Sequence, residues 1–468
     1  MKLLFLAGML VAIAAVAVGM ALGGFLGLFV TGSAGILGVL LAGRLLAPAS
    51  PVGTARSSAA DERVFLGRLV LGGFALRAFA SLLLHETGWW EYMGSDEDTF
   101  DGNGQGFVLW VQGLSPHPYS VRFRGSFEVA YFCVVGGMYY TFGIAKFFPL
   151  FVNCVVGVCT AYPVHALAGA FAGRAAARRA AVLVVFFPSL VLWSSLMVRD
   201  AMALALLATS LLLAYRLRRR FSAAQLLGLL VCLGALATLR TYIFLIVAVA
   251  ISVALVVGQR SVGRAIFTGG FVMVALVLTM QTTGLGQSEL ERANLDTLAL
   301  HRQYNAMGPT IAGSLGADVD ISTPTRALTY LPLGLVYFYC SPFPWQIGSP
   351  RQVMALVDLL LWYSIMPAMA FGMLWLLRRR FRAVLPLLLT VIGISVLYAL
   401  VEGNIGIIFR HRAQIIVPLC AVAGVGYALK RRRARKESLL LEGPVPLHAP
   451  AGGPLRPAPG VRLYPRAP

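Results

Sequence analysis

"FFPSLVLWSSLMVRDAMALALLATSLLLAYRLRRR" (residues 186–220) decides the fold. Two apolar runs meet at a short polar turn holding Ser194, Ser195, Arg199 and Asp200, and the second run leaves on the basic sequence RLRRR. A surface helix would show a polar stripe returning every third or fourth residue, and between Asp200 and Arg216 there is none. The apolar length matches the roughly 20 residues a helix needs to cross a hydrocarbon core of about 30 Å. The stretch is therefore a membrane hairpin, with its polar turn at one surface and its arginines at the other.

The same alternation recurs along the chain. With 58% hydrophobic and 12% charged residues, the protein has too little charge for a soluble domain. Lipid cannot satisfy free backbone groups, so such spans must be helices, and the alternating pattern of a membrane barrel is absent. Lys and Arg number 39 against 19 Asp and Glu, a net charge of +20. The positive residues sit in runs between apolar segments, at 173–179, 216–220, 259–264, 378–382 and 430–436. That distribution marks cytoplasmic loops and excludes a nucleic-acid-binding face.

These rules predict an all-α, polytopic helical membrane protein of about twelve transmembrane helices. The spans fall near 3–22, 26–46, 64–85, 147–171, 180–196, 199–216, 222–239, 241–257, 264–281, 353–377, 383–402 and 406–429. Two aromatic pieces broken by Gly or Pro, 127–143 and 330–345, read as interfacial or re-entrant helices. The organisation expected is N-terminal anchoring helices at 1–46, a cytoplasmic linker at 47–63, and a membrane module at 64–281 whose first outer loop is 86–146. A second outer loop (282–352), C-terminal helices (353–429) and a disordered, basic, Pro-rich tail (430–468) follow, the tail's basic start lying where it can touch anionic membrane lipids. Both termini are then cytoplasmic, in a cell inner membrane. The six cysteines show no C-x-x-C spacing and read as packing residues.

In the first outer loop, "EYMGSDEDTFDGNGQGF" (91–107) gathers Asp96, Glu97, Asp98 and Asp101 in a chain poor in acids. Asp101, Asn103, Gln105 and Gly106 have a spacing like a calcium loop, but Gln112 stands where a bidentate Glu is needed. Gly102, Gly104 and Gly106 read instead as a flexible turn. Near the last span, "VEGNIGIIFRHRAQIIVP" (401–418) puts Arg410, His411 and Arg412 inside the apolar zone. A guanidinium at such depth costs about 2.5 to 3.5 kcal/mol on insertion scales and needs an anionic partner. Positions 410 and 412 are about 200° apart on a helix, so only one of the two faces a shared site. Arg240 and Tyr242 stand at another outward turn, and Arg199 with Asp200 is either an interfacial ion pair or part of the same site.

Arginines bind phosphate through a planar fork and stay charged at any working pH. A lipid-linked phosphate would lie at this depth with its tail in the bilayer. A facing carboxylate could then take the proton of an attacking hydroxyl while arginine stabilises the departing phosphate.

The Asp96-Glu97-x-x-Phe100 motif and the order Pro188, Ser194, Ser195, Asp200 resemble the membrane-embedded C-type glycosyltransferases. The likeness is to the bacterial branch related to protein mannosyltransferases and lipid A aminoarabinose transferases, over roughly residues 64–260. Phe100 stands where that family usually has Tyr. The resemblance implies a C-type glycosyltransferase fold and transfer of a sugar from a polyprenyl-phosphate donor to a cell-envelope glycan, lipid or protein on the outer face. It implies Asp96 as catalytic base, with Glu97 and Asp200 positioning it or the acceptor, and Asp98 and Asp101 alongside. Arg199, Arg240, Tyr242, Arg410, His411 and Arg412 would hold the lipid phosphate. No cofactor is required, although a divalent cation (Mg or Mn) between Asp96, Asp98 and a donor phosphate is an option.

Two other functions compete. A polymerase or ligase acting on polyprenyl-diphosphate oligosaccharides would depend more on Arg240 and Arg410 than on Asp96. A lipid or glycan transporter would favour mid-membrane charges and an internal repeat, and no repeat is evident. In the second outer loop His301, Arg302, Tyr304, Asp318, Asp320 and Arg326 read as solvated surface of a lid. Tyr330, Tyr337, Tyr339 and Trp345 could equally stack on a sugar or form an interfacial belt.

Overall fold

The computed structural model describes residues 54–93, 96–116, 130–258, 263, 269–270, 272–274, 294–307, 319–346 and 350–441. The spans expected at 3–22 and 26–46, most of 264–281, and the tail beyond 441 lie outside the described residues. Within them the helices, in chain order, are α1 Thr54–Glu86, α2 Trp89–Met93, α3 Asp96–Val111, α4 Ala130–Phe142 and α5 Phe147–Cys159. Next come α6 Ala161–Ala172, α7 Arg174–Phe186, α8 Pro188–Ser194, α9 Asp200–Arg219, α10 Ala223–Leu239 and α11 Thr241–Gly258. The last are α12 Leu295–Met307, α13 Pro324–Cys340, α14 Pro350–Val401 and α15 Ile405–Leu441.

Five of the described helical stretches are long and apolar enough to cross a membrane, and α7 with α8 makes a further pair bent by 54°. Every span expected between 64 and 257 and between 353 and 429 falls on helical structure, 147–171 on the two helices α5 and α6 and 180–196 on the bent pair α7 and α8. The chain is thus a multi-pass helical membrane protein. At 52 residues, α14 is about twice the length a bilayer needs. It breaks at Arg380 (φ −141, ψ 32), inside the basic run that separates the two spans expected there.

Proline sets the bend before α8. Phe187 precedes Pro188, so its backbone is pushed out of the helical region (φ −66, ψ 123), and α8 restarts with proline in its first turn. From Ser195 to Arg199 the chain is not helical. Irregular backbone at membrane depth survives only if protein satisfies it; Asn153 does so within this stretch, and Arg77 does so at the bend before Pro188. Asn153 donates to the carbonyls of Leu196 and Val198, each at 2.8 Å. Arg77, fully buried in mid-α1, donates to Ser194 Oγ at 2.8 Å and to the Val185 carbonyl at 2.8 Å, while Ser195 Oγ donates to the Arg77 carbonyl at 3.1 Å.

Two expectations are corrected. The acidic stretch from Asp96 is helix α3, so neither a flexible turn nor a calcium loop is present there. One glycine on each side serves packing: a Cβ on Gly104 of α3 would sit 2.5 Å from Val135 Cγ1, and one on Gly136 of α4 2.5 Å from Phe107 Cβ, so α3 and α4 approach closely, while a Cβ on Gly102 would meet nothing within 4 Å. Residues 430–441, expected to be disordered, are helical. Lys, Arg, Ala, Glu and Leu are strong helix formers, and extending an existing helix needs no new nucleus.

Candidate active site: a charge cluster where four segments meet

Asp200 opens α9, and the basic run 216–220 closes it some 30 Å away. The cluster around Asp200 is therefore at the membrane surface opposite those arginines. Arg240 stands at the α10–α11 junction, Arg410 and His411 lie in the second turn of α15, and Asp96 is the first residue of α3.

Asp200 is the hub. Its Oδ1 accepts from Arg240 NH2 at 2.5 Å, and its Oδ2 accepts from Arg410 Nε at 3.0 Å and NH2 at 2.6 Å. The remaining arm of Arg410 reaches across to α3, where NH1 pairs with Asp96 Oδ2 at 2.5 Å. Its guanidinium also lies over the Trp193 ring, 5.3 Å from the centroid. Burial differs along the chain of charges, with side-chain exposures of 3% for Asp200, 16% for Arg410 and 50% for Asp96. Charge-assisted bonds of this kind are strong, and a buried carboxylate shared by two guanidinium groups is satisfied in a way a single pair would not achieve.

Behind Arg240 lies an aromatic and imidazole layer. Arg240 NH1 donates to the Tyr242 hydroxyl and faces His411 Nε2 at 3.4 Å. His411 Nδ1 meets Glu402 Oε1 at 2.8 Å. A donor on one side and an acceptor on the other favour one tautomer, with Nδ1–H donating to Glu402 and Nε2 accepting from Arg240. Tyr398 stacks on the His411 ring at 4.3 Å and contacts the Tyr242 hydroxyl at 3.2 Å. Arg199 occupies the N-cap position of α9, next to Asp200.

The other acids of α3 face elsewhere. Glu97 is buried against His85 Nε2 at 2.7 Å, and Phe100 packs edge-on to Tyr131 at 4.8 Å. Asp101 accepts from the Tyr139 hydroxyl at 2.6 Å. Burial, reinforced by the Asp101 charge, pushes the Tyr139 phenol well above its ordinary range, so it remains a donor at any working pH. Lys146 bridges Asp98 at 3.4 Å and Asp101 at 3.5 Å. These contacts fix α3 in place and leave Asp96 as its one acid on the cluster.

Arg412 does not join the lipid-phosphate group in which it was expected. It is fully buried, with Nε donating to the Phe338 carbonyl at 2.9 Å and NH2 to that of Ser341. Trp362 Nε1 donates to the Tyr339 carbonyl at 2.7 Å, and the Tyr363 hydroxyl to that of Cys340. Together they satisfy the C-terminal carbonyls of α13, which no water reaches in lipid. The helical period that turns Arg410 toward Asp200 turns Arg412 away.

Arg302 is also corrected, from solvated surface to full burial. It donates to the carbonyls of Leu400 at 3.1 Å and Glu402 at 2.9 Å and to the Tyr330 hydroxyl at 2.6 Å, tying α12 to the turn that carries Glu402. Tyr304 and Trp345 are exposed, and Trp345 stacks on Phe343 at 4.9 Å. Asp320 and Arg326 form an exposed pair, and Asp318 lies outside the described residues. Sequence reasoning missed Arg77, Lys146, Glu402 and Asp358. Of these, Arg77 had a signal, a lone arginine amid the apolar run "FALRAFA".

Among the described residues no three His, Cys, Asp or Glu side chains gather as a metal site would require. Asp96 is turned to Arg410 and Asp98 to Lys146, so the two acids offered for a divalent cation do not converge as arranged.

No protein-family model and no curated protein matches the chain. Among solved structures, ArnT from Cupriavidus metallidurans bound to undecaprenyl phosphate is similar, with a TM-score of 0.46 and 16% identity over 79% of this chain and 63% of that one. The archaeal oligosaccharyltransferase AglB from Archaeoglobus fulgidus, in complex with an inhibitory peptide and a dolichol-phosphate, gives 0.42 and 15% over 80% of this chain and 52% of that one. This chain thus covers less than two thirds of either.

Proposed function

We propose that this protein is an integral membrane glycosyltransferase. It moves a sugar from a polyprenyl-phosphate donor to a glycan, lipid or protein acceptor of the cell envelope, on the outer face of an inner membrane with both termini cytoplasmic. The observation that carries this reading is the convergence of Arg240 and Arg410 on one buried carboxylate beside the half-exposed Asp96. Fixed cations at a membrane surface suit a phosphate whose tail stays in lipid, and a wet carboxylate suits an acceptor arriving from water.

In the reaction proposed, the acceptor oxygen forms a bond to the anomeric carbon and gives its proton to Asp96. The bond from the anomeric carbon to the phosphate oxygen breaks, and the phosphate oxygen keeps the electron pair. The lipid phosphate leaves as an anion stabilised by arginine. His411, held by Glu402, keeps Arg240 oriented. The resemblance of the Asp96-Glu97-x-x-Phe100 and Pro188-to-Asp200 patterns to C-type glycosyltransferases supports the same assignment.

The test is sugar transfer by purified protein from a panel of polyprenyl-monophosphate sugars, wild type beside Asp96→Asn. Transfer by the wild type and its loss in a folded variant are expected; full activity in the variant would remove Asp96 from the mechanism. A second reading, a polymerase or ligase of diphosphate-linked oligosaccharides, is favoured by one feature: the arginines lie deeper than Asp96. Activity restricted to diphosphate donors and insensitive to Asp96 would select it.

A further inference from the structure

The Arg410 guanidinium presents two edges to two unlike acids. The edge formed by Nε and NH2 is fixed on Asp200, whose other oxygen is held by Arg240. Asp200 cannot leave without stranding a charge in the dry interior. The NH1 edge faces Asp96, which is half exposed, and a pair of that kind is weak and readily exchanged. Arg240 is engaged by Asp200, Tyr242 and His411. An anion arriving from the membrane surface therefore finds the NH1 edge of Arg410 already taken by Asp96.

We infer that Asp96 occupies the seat of the donor's phosphate, and that donor binding exchanges one anion for the other. This rests on the reading of the site given above. The phosphate takes the NH1 edge and Asp96 swings free into water, where it can accept the proton of the acceptor hydroxyl. The rest of α3 need not move. It is anchored by Glu97 on His85, Phe100 on Tyr131 and Asp101 under Tyr139, so only the Asp96 side chain has to turn. The base is thus released only when a donor is present. After transfer, loss of the proton lets Asp96 return to Arg410, which favours departure of the lipid phosphate.

The consequence has a sign opposite to that of a carboxylate that helps hold the donor. Removing the Asp96 charge removes a competitor and strengthens phosphate binding, while transfer is lost. The experiment is calorimetric titration of the full chain in detergent with farnesyl monophosphate, comparing wild type, Asp96→Asn and Asp98→Asn, with thermal unfolding to verify that each is folded. Asp96→Asn is expected to bind roughly two- to fivefold tighter, the range an exposed pair commands. Asp98, paired with Lys146 and away from Arg410, controls for loss of any nearby negative charge, and its variant is expected to change affinity less. Wild-type binding with equal or weaker binding by Asp96→Asn, or equal tightening by both variants, overturns the exchange and leaves the phosphate site standing. No binding by folded wild type or either variant overturns the phosphate site and the exchange together.

Discussion

Arg410 and Arg412 stand two positions apart on one helix, and their surroundings differ in kind. Arg410 meets carboxylates from two distant helices at an edge open to water. Arg412 meets only backbone carbonyls among its hydrogen-bond partners, in an interior without water. Each arrangement offsets the cost of a guanidinium at membrane depth, but with different consequences. Carboxylates can be replaced by another anion, so the first arrangement is able to bind. Carbonyls at a helix end cannot leave, so the second can only hold. An arginine's depth therefore does not tell whether it serves chemistry; the class of its partner does.

The largest effect separating the two regions is expected from Arg412→Met. It leaves the α13 carbonyls of Phe338 and Ser341 without these donors. A loss of about 3 to 5 kcal/mol is expected, read as a lower unfolding temperature and poor recovery of folded protein. If Arg412→Met folded normally and lost only transfer, the comparison would collapse. Arg410→Ala should behave in the reverse way. Asp200 keeps Arg240 on Oδ1 but loses both Arg410 bonds to Oδ2, so stability falls by less than in Arg412→Met, while transfer falls by about 100-fold or more as the phosphate loses its stabilising charge. Unfolding temperature and turnover measured on the same preparation distinguish the two patterns.

Asp358 sharpens the structural side of the contrast at an intermediate scale. Its buried carboxylate accepts from the Ser189 N–H at 2.7 Å and so caps α8 from across the bundle. Asp358→Ala should cost about 1 to 2 kcal/mol, as loss of an N-cap does. Asp358→Asn, which keeps an acceptor, should cost less. Both would be seen in thermal unfolding, with the turnover of the protein that stays folded left close to wild type.

Much of this architecture is legible in sequence because lipid makes the rules severe. Apolar length located the helices of the described membrane segments, but the span expected at 180–196 runs straight across Pro188, where the chain bends by 54°. The opposed faces of Arg410 and Arg412 follow from helical period alone. What sequence could not give is which distant residue each charge meets: Asp96 and Arg410 lie 314 positions apart, and Asp200 and Arg410 lie 210 apart. Gly104 misled because glycine marks both flexible turns and close helix contacts, and only the presence of Val135 on α4 across from it tells which. Arg302 was misread for a related reason, since a polar stretch of sequence does not show that one side chain folds under it.

The smallest expected effect tests whether the layer behind Arg240 belongs to the binding side or the holding side. Glu402→Gln keeps the shape of the side chain and an oxygen that can accept from His411 Nδ1–H. If Glu402 serves only to set the tautomer, the amide does so nearly as well, and transfer should fall by no more than about fivefold, within the range of one ordinary hydrogen bond. Glu402→Leu removes the acceptor. Nδ1–H then has no partner there, and a shift to the Nε2–H tautomer would turn an N–H donor toward the Arg240 guanidinium, loosening the group that shares Asp200 with Arg410. Transfer should fall further in that variant, and nitrogen-15 NMR of the imidazole should show the tautomer disturbed. Equal and large losses in both variants would mean that the negative charge of Glu402 is itself required, and would move this layer from support into the charge balance of the site.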